Sequence, residues 1–292
     1  MDWYNGDIGL MVKTPDDPVG RLVAIGGGED RTSELEILRR VVDLAPPDKR
    51  SVAIVATASG VPAEVLPVYE AAFRRLGVDA VHALDIRDRD GAAEPETVAT
   101  LAHCGIVFFT GGDQMRLTSV LGGSDALAAI RTRYGEGAVI AGTSAGAAAM
   151  SRTMIADGAA ADALRKGGVT MTPGLGFVEG LTIDSHFLER GRFTRLMEVG
   201  ATNPELLGVG LGEDAAVVIH PGRILEALGS GHVIVVDNQG IVSSNVAEAE
   251  PGDPLAVENV VMHALIAGHG YDTDGRRYLG RDALAALLET ES

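Results

Sequence analysis

Residues 139–147 read Val-Ile-Ala-Gly-Thr-Ser-Ala-Gly-Ala. The apolar start is typical of a buried strand, and it stops in a Gly-x-Ser-x-Gly turn before small residues that favour a helix from Ala145 to Met150. This is the pattern of a nucleophile elbow, in which flanking glycines leave room for a sharp turn that exposes the central serine. It makes Ser144 a candidate nucleophile and the N–H of Ala145 a candidate oxyanion donor. A small-residue turn with an incidental serine is the alternative, and the motif alone leaves both open.

Strands and helices alternate before this turn. Apolar runs predict strands over 22–25, 51–56, 80–85, 106–109 and 138–141. Helical patterns cover 32–45, 62–76 and 94–103, and Thr32 is the predicted cap of the first helix. Such alternation predicts a parallel sheet flanked by helices, an α/β fold. Ligands of these sheets lie beyond the carboxyl ends of the strands, so Gly26–Gly28 and Gly111–Gly112 are predicted to lie near Ser144.

The pattern changes after residue 175 toward short strands separated by turns. The predicted strands cover 181–184, 207–211, 215–219, 224–228 and 232–236, and a helix over 187–200 interrupts them. They predict an added sheet or antiparallel edge in the C-terminal half. We expect residues 1–292 to form a single domain, with a tail or edge segment over 1–18 and a C-terminal helical extension over 274–292.

Composition excludes several classes of protein. The 292 residues are 46% hydrophobic and carry a net charge of −17, which argues against binding to nucleic acid or an anionic membrane. Cys104 is the single cysteine, so no internal disulfide forms, and its apolar setting predicts a small core or edge residue, not a nucleophile. No apolar stretch approaches the ~20 residues needed to span a bilayer, and no signal peptide is evident, so we expect a cytoplasmic protein.

A serine nucleophile needs a base, and His186 is the best placed of the seven histidines. It follows the predicted strand 181–184, at the carboxyl end where catalytic groups collect, whereas the other six have ordinary structural interpretations. A satisfied core or capping histidine is the competing interpretation for His186. Glu213, after the apolar strand 207–211, is the candidate acid, although two carboxylates at such a strand end usually form a solvated turn.

Arginines complete the set of candidates. Arg192 and Arg195 are three residues apart on one face of the predicted helix 187–200. Arginine forks bind carboxylates bidentately, so this cluster predicts a site for an anionic substrate group in an otherwise acidic protein. A solvated basic helix end is the alternative.

Together these motifs resemble the cyanophycinase family of serine peptidases, which also contains the aspartyl dipeptidases. The resemblance spans about residues 20–273, and the order of its motifs makes it specific. It rests on Gly111-Gly112-Asp113-Gln114, Gly142-Thr143-Ser144-Ala145-Gly146-Ala147, Asp184-Ser185-His186-Phe187 with the arginines that follow, Gly208 to Asp214, and the segments Met262 to Leu265 and Gly270 to Asp272.

The resemblance implies a fold similar to class I glutamine amidotransferases (flavodoxin-like), with Ser144 as nucleophile, His186 as base and Glu213 as orienting acid. It also implies oxyanion donors at Gly112 and Ala145, a homodimer, and neither metal nor organic cofactor. The implied substrate-binding residues are Asp113, Gln114, Asp184, Ser185, Arg190, Arg192 and Arg195. Two positions depart from the family, which often has glutamine at the position of Ser185 and aspartate at that of Gly212.

The expected activity is hydrolysis of cyanophycin, a poly-aspartate that carries arginine on its side chains, to β-Asp-Arg dipeptides through an acyl-enzyme. An aspartyl or isoaspartyl dipeptidase acting on short peptides is the nearest alternative, and Ser185 keeps it open. A non-catalytic binding protein on the same fold is the second alternative. A glutaminase like those of the amidotransferases is disfavoured, because those enzymes use cysteine at the elbow.

Overall fold

The computed structural model describes residues 20–290, so the predicted tail or edge segment 1–18 lies outside it. The α-helices of this part of the chain are α1 (Glu36–Asp43), α2 (Pro62–Arg75), α3 (Pro95–His103), α4 (Gln114–Leu121), α5 (Asp125–Gly135), α6 (Ala145–Ala148), α7 (Phe193–Thr202) and α8 (Arg281–Thr290). The strands are β1 (Arg21–Ile25), β2 (Ser51–Val55), β3 (Ala80–Leu84), β4 (Ile106–Phe109), β5 (Val139–Thr143), β6 (Thr153–Asp157), β7 (Thr170–Pro173), β8 (Leu181–Asp184), β9 (Leu207–Leu211), β10 (Ala215–Ile219), β11 (Ile224–Gly229), β12 (Val233–Asp237), β13 (Ser243–Ser244), β14 (Val257–Glu258), β15 (Val261–Leu265), β16 (Gly270–Asp272) and β17 (Arg277–Leu279).

A nine-stranded sheet in the order β17-β16-β11-β10-β1-β5-β4-β2-β3 forms the centre of the fold. The five strands from β1 to β3 in this order are parallel, and β1 to β17 in the other direction are antiparallel. The register sets Ile25 of β1 beside Thr143 of β5, and Phe109 of β4 beside Gly142. The carboxyl ends of these three strands therefore meet at one edge, which confirms the predicted parallel α/β sheet.

Side-chain alternation along the parallel strands builds two apolar layers, one on each face of the sheet. On one face of the sheet, α1 and α2 pack against strand residues that include Val23, Ile54 and Phe108. On the other face, α3, α4, α5 and α6 pack against Leu22, Phe109 and their neighbours. Cys104 is buried in this second layer, as predicted, and burial raises the pKa of its thiol to about 11.

The C-terminal half adds antiparallel structure in two places, as predicted. Strands β10, β11, β16 and β17 extend the central sheet. A separate four-stranded sheet, in the order β15-β12-β9-β8, packs against the layer that contains α6, and only its β8–β9 pair is parallel. The two sheets lie together so that the end of β8 and the end of β9 reach the edge where β1 and β5 end.

Two predicted helix starts were wrong. The first helix begins at Glu36 instead of Thr32, because the carboxylate of Asp30 accepts the backbone N–H groups of residues 32–35 and holds them in a turn. The helix predicted from Phe187 begins at Phe193, so Arg190 lies in a turn and Arg192 at the helix boundary. Helices α4 and α5, which the sequence analysis did not identify, follow β4.

The segment 274–292, predicted as a helical extension, holds the short strand β17 before helix α8 in its described part. That the whole chain is one domain stays a prediction. Among the helices of residues 20–290, none is long and apolar enough to cross a membrane.

Candidate active site

Ser144 stands at the turn between β5 and α6 with φ 52° and ψ −109°. A non-glycine residue adopts such a backbone only when its surroundings hold it there. The N–H of Ser144 donates to the carbonyl of Ile25 at 2.9 Å, which ties the turn to the end of β1. Gly142 and Gly146 leave room for this geometry, since a Cβ at Gly146 would lie 2.6 Å from the carbonyl oxygen of Phe109. The predicted strand–turn–helix is therefore present, although α6 ends at Ala148.

His186 follows β8 and lies beside the serine. Its Nε2 is 3.0 Å from Ser144 Oγ, and its backbone N–H donates to the carbonyl of Gly26 at 2.9 Å. A Cβ at Gly27 would come within 2.6 Å of Nε2, so the glycine turn after β1 forms the wall against which the imidazole packs. The predicted proximity of Gly26–Gly28 to Ser144 is confirmed.

Glu213 approaches the other nitrogen of the same ring. Its Oε1 is 2.9 Å from His186 Nδ1, and the glutamate side chain is 49% exposed whereas the imidazole is 17% exposed. The backbone N–H of Glu213 donates to Glu189 Oε1 at 3.1 Å. An ionised carboxylate can only accept, so Nδ1 carries the ring hydrogen and Nε2 is left to accept the Ser144 hydroxyl. A serine, a base and an orienting acid thus stand in one hydrogen-bonded line.

The N–H groups of Gly112 and Ala145 have no hydrogen-bond acceptor within residues 20–290. Gly112 has φ +142°, and a Cβ there would collide with the carbonyl of Ala58, so only glycine fits. A Cβ at Gly111 would lie 3.4 Å from the Cβ of Ser144, which fixes this loop beside the elbow. Two unengaged donors next to the serine are what an oxyanion site requires.

The arginine cluster differs from the prediction of a free anion site. Arg192 Nη1 lies 2.9 Å from Asp184 Oδ1, and Arg195 Nε lies 3.1 Å from Asp184 Oδ2. Burial raises the pKa of Asp184, although the two guanidinium groups act in the opposite direction, and burial lowers the pKa of Arg195. Two of the three predicted substrate-binding arginines therefore neutralise an internal carboxylate. Arg190 is exposed and has no ion pair in the described part of the chain.

The remaining predicted substrate-binding residues have structural partners as well. Asp113 caps α4 by accepting the N–H groups of Met115 and Arg116. Gln114 donates to the carbonyls of Ile155 and Ala156 through Nε2, so it joins α4 to β6. Ser185 is buried, and its carbonyl accepts a hydrogen bond from Arg192 at 2.8 Å.

Two carboxylates near the site, Glu189 and Glu29, are not among the residues predicted from the motifs. Glu189 accepts the N–H of Glu213, as described, and Glu29 is buried directly after the glycine turn of β1. Glu29 accepts hydrogen bonds from Tyr69 and from Thr143, the residue before Ser144. Its place after Gly26–Gly28 at a strand's carboxyl end was the available sign. Within residues 20–290 no group of three or more histidine, cysteine, aspartate or glutamate side chains could hold a metal ion.

Ser144 lies at the carboxyl edge of the parallel sheet, and His186 and Glu213 follow strands β8 and β9 of the second sheet. A serine, a histidine and a glutamate in hydrogen-bonded sequence on an α/β fold define the class of serine hydrolases. Residues 22–226 match the family model of peptidase family S51, and the chain belongs to that family and is a peptidase. The resemblance stated from the motifs is confirmed.

Two curated relatives and one solved structure show how far the similarity extends. A cyanophycinase of Nostoc sp. (strain PCC 7120 / SAG 25.82 / UTEX 2576) is 36% identical over 260 residues, which cover 89% of this chain and 87% of the relative. A cyanophycinase of Geminocystis herdmanii (strain PCC 6308) is 35% identical over 250 residues, covering 85% and 91%. The crystal structure of a peptidase from an acI-B1 Actinobacterium superposes with a TM-score of 0.63 at 19% identity, covering 88% of this chain and 98% of that one, and shows the same fold.

Proposed function

We propose that this protein is a serine peptidase that hydrolyses cyanophycin to β-Asp-Arg dipeptides. The observation that carries the proposal is the line from Ser144 Oγ to His186 Nε2 at 3.0 Å and from His186 Nδ1 to Glu213 Oε1 at 2.9 Å. The curated relatives named cyanophycinase, at 34–36% identity over most of the chain, support the choice of substrate.

The reaction proceeds in two halves. Ser144 Oγ attacks the scissile carbonyl carbon while His186 Nε2 takes the hydroxyl proton, and Glu213 stabilises the imidazolium. The proton then passes from Nε2 to the leaving amine, and the bond to nitrogen breaks. In the second half a water gives its proton to Nε2 and attacks the acyl carbon. The bond from that carbon to Ser144 Oγ then breaks, and Nε2 returns the proton to Oγ, which releases the acid and restores Ser144.

The oxyanion that forms in each half is held by the N–H groups of Gly112 and Ala145. Removal of one such donor typically costs about 3–4 kcal/mol of transition-state stabilisation. No acceptor competes for these donors within residues 20–290, so they are available to the developing charge without rearrangement.

Arg190, Gln114 and Asp113 are the proposed contacts to substrate. Arg190 is exposed and free of ion pairs in the described part of the chain, so its guanidinium can bind a carboxylate of the aspartate-derived backbone. The other predicted substrate-binding residues contact one another and are proposed to act indirectly, by holding the turn that carries Arg190: Asp184, Ser185, Arg192 and Arg195.

The experiment compares the purified protein with two serine variants. Wild type, Ser144→Ala and Ser119→Ala are incubated with insoluble cyanophycin and with free β-Asp dipeptides, and products are identified by mass spectrometry. Ser119 is exposed on α4 and controls for the loss of a serine hydroxyl. We expect β-Asp-Arg from the polymer with wild type and Ser119→Ala and none with Ser144→Ala.

Other outcomes identify the alternatives. Cleavage of dipeptides alone would move the protein to the aspartyl or isoaspartyl dipeptidases, the alternative that the departure at Ser185 keeps open. Failure of a serine-directed phosphonate to label Ser144 would indicate a non-catalytic binding protein.

The proposal includes a homodimer in the cytoplasm, as the sequence analysis expects, and a single domain. Light scattering of the purified protein measures the mass in solution and tests the dimer. Fractionation of the source cells with an antibody against the chain tests the location.

A further inference from the structure

Glu29 differs from the other buried carboxylates of residues 20–290 in its partners. Asp184 and Asp237 pair with arginines, and Glu198 accepts two backbone N–H groups. Glu29 is 3% exposed, accepts from the hydroxyls of Tyr69 and Thr143, and has no ion pair with any described residue. A cation lies beside one of its two partners: the guanidinium of Arg31 is 5.6 Å from the ring centroid of Tyr69.

A buried carboxylate without an ion pair is costly, and hydrogen bonds from two neutral hydroxyls offset only part of that cost. An apolar residue would suit the layer of α2 and β4 into which Tyr69 packs, 4.8 Å from the ring of Phe108. Groups that are costly for the fold concentrate at sites where function requires them.

The hydrogen bond from Thr143 Oγ1 to Glu29 Oε2, at 2.7 Å, acts on the residue that leads into the elbow. Thr143 is the last residue of β5, and the next residue has the unfavourable backbone angles φ 52° and ψ −109°. Such a conformation persists only when neighbouring contacts over-determine it. On its other side the elbow is tied by the bond from Ser144 N–H to the carbonyl of Ile25.

Both ties start from one segment, residues 25–29, which also contacts the rest of the line. The carbonyl of Gly26 accepts the N–H of His186, and that of Gly27 accepts the N–H of Asp214, the neighbour of Glu213. The segment is thus in contact with each of the three elements that carry Ser144, His186 and Glu213.

We propose that Glu29 is a positioning residue for Ser144: its carboxylate holds Thr143 through the hydroxyl and so holds the serine at the distance from His186 that attack requires. The inference rests on the proposed function. Glu29 and Thr143 are each 3% exposed and so closed to substrate, which places their effect in kcat and in the reactivity of Ser144, with KM unchanged.

The test measures kcat, KM, the rate of Ser144 labelling by a fluorophosphonate, and the melting temperature of four variants. Thr143→Val removes the hydroxyl at nearly constant shape, and we expect kcat and the labelling rate to fall by about ten- to a hundredfold, as small misplacements of reacting groups do. Thr143→Ser restores the hydroxyl and should restore both rates. Glu29→Gln keeps the shape but replaces the charge-assisted bond with a weaker one, so its losses should be smaller.

The fourth variant, Thr143→Val combined with Glu29→Gln, should be no slower than Thr143→Val alone, because Thr143→Val has already removed the bond that Glu29→Gln only weakens. Tyr271→Phe is the matched control: it removes a buried hydroxyl that donates to Asp237 at 3.0 Å. Asp237 pairs with Leu207, at the end of β9 away from Glu213. The control should lower the melting temperature and leave kcat and the labelling rate unchanged.

Three results would overturn the inference: Thr143→Val within twofold of wild type in both rates, Thr143→Ser as slow as Thr143→Val, or additive losses in the double variant. Labelling separates this failure from that of the proposed function. If wild-type Ser144 does not label, the serine peptidase itself is wrong; if it labels but leaves cyanophycin intact, the substrate is wrong and the role of Glu29 is still measured by labelling rates.

Discussion

The glycine turn after β1 shows how single residues shape the site. Gly27 has φ +104°, and a Cβ at that position would stand 2.6 Å from Nε2 of His186. The absence of a side chain there lets the imidazole lie within reach of both Ser144 and Glu213. The position of His186 therefore depends on glycine at residue 27, because a methyl group there would displace the imidazole.

Gly27→Ala should inactivate the enzyme far more than it unfolds it. Gly77→Ala is the control, because Gly77 has φ +80° but open space around its Cβ position. Both variants should lose stability from backbone strain, by about 1–2 kcal/mol. Only Gly27→Ala should lose kcat, by about a hundredfold, because it moves His186. Equal kcat values for the two variants would contradict this placement of the imidazole.

Arg190 and Arg195 are five residues apart, but only Arg195 pairs with a carboxylate in the described part of the chain, and Arg190 is proposed to bind substrate. Arg190→Ala should raise KM about tenfold or more, since a charged hydrogen bond contributes about 1.5–3 kcal/mol, and leave the melting temperature unchanged. Arg195→Ala should lower the melting temperature by about 6–10 °C, because it leaves Asp184 buried with one partner fewer. Steady-state kinetics and calorimetry measure both; a stable Arg195→Ala protein with raised KM would assign Arg195 to substrate instead.

At the scale of elements, a partly buried ion pair between α1 and β11 holds helix α1 on the antiparallel half of the sheet. Glu226 on β11 accepts from Arg40 of α1 at 2.9 Å and lies 2.8 Å from Nε2 of His220. Burial alone would raise the pKa of Glu226, but the hydrogen bonds from His220 and Arg40 outweigh burial and hold the pKa below its usual 4.5. The Glu226 side chain is 13% exposed and that of Arg40 is 36% exposed, so solvent screens the ion pair in part.

This lowered pKa gives the fold a pH dependence with a definite sign. The unfolded chain binds a proton at Glu226 near pH 4.5 while the folded chain does not, so stability is present above pH 4.5 and is lost as the pH falls through the lower folded value. Glu226→Gln should be less stable at pH 7 and should lose less stability between pH 5 and pH 3 than wild type. Denaturant unfolding at each pH measures this; parallel curves for the two proteins would refute it.

For the whole molecule, the position of a strand in the nine-stranded sheet sets how firmly it is held. β1 and β5 have a strand on each side and apolar layers on both faces, whereas β3 is an edge strand paired only with β2. Its residues Ala80, His82 and Ala83 are exposed. Ser144 and the glycine turn follow the central strands β5 and β1, where they are least free to move.

Amide hydrogen exchange should follow this order. Residues 21–25 and 139–143 should exchange at least about a hundredfold more slowly than residues 80–84, because the central strands open only when the sheet opens as a whole while the edge strand opens locally. Mass spectrometry of peptic peptides after deuterium labelling measures the rates. Equal protection of β3 and β5 would show that a partner or a neighbouring copy covers the edge.

Much of the fold and of the site follows from local patterns. The alternation of apolar runs and helical faces predicted the parallel sheet, because each run carries its own period in neighbouring residues. The Gly-x-Ser-x-Gly turn selected Ser144, and strand ends selected His186 and Glu213. These signals are local in sequence, so the chain alone determined the fold class and the three residues of the proposed catalytic line.

The tertiary structure decided which charges meet. The sequence predicts a free basic cluster at Arg192 and Arg195, but in the structure both arginines pair with Asp184. The hydrogen bond from Thr143 to Glu29 joins residues that are 114 positions apart. Such contacts depend on strand register and on how two sheets pack, neither of which a sequence period encodes. The physical reason is that hydrogen bonds and ion pairs reach about 3 Å, a distance set here by the whole fold.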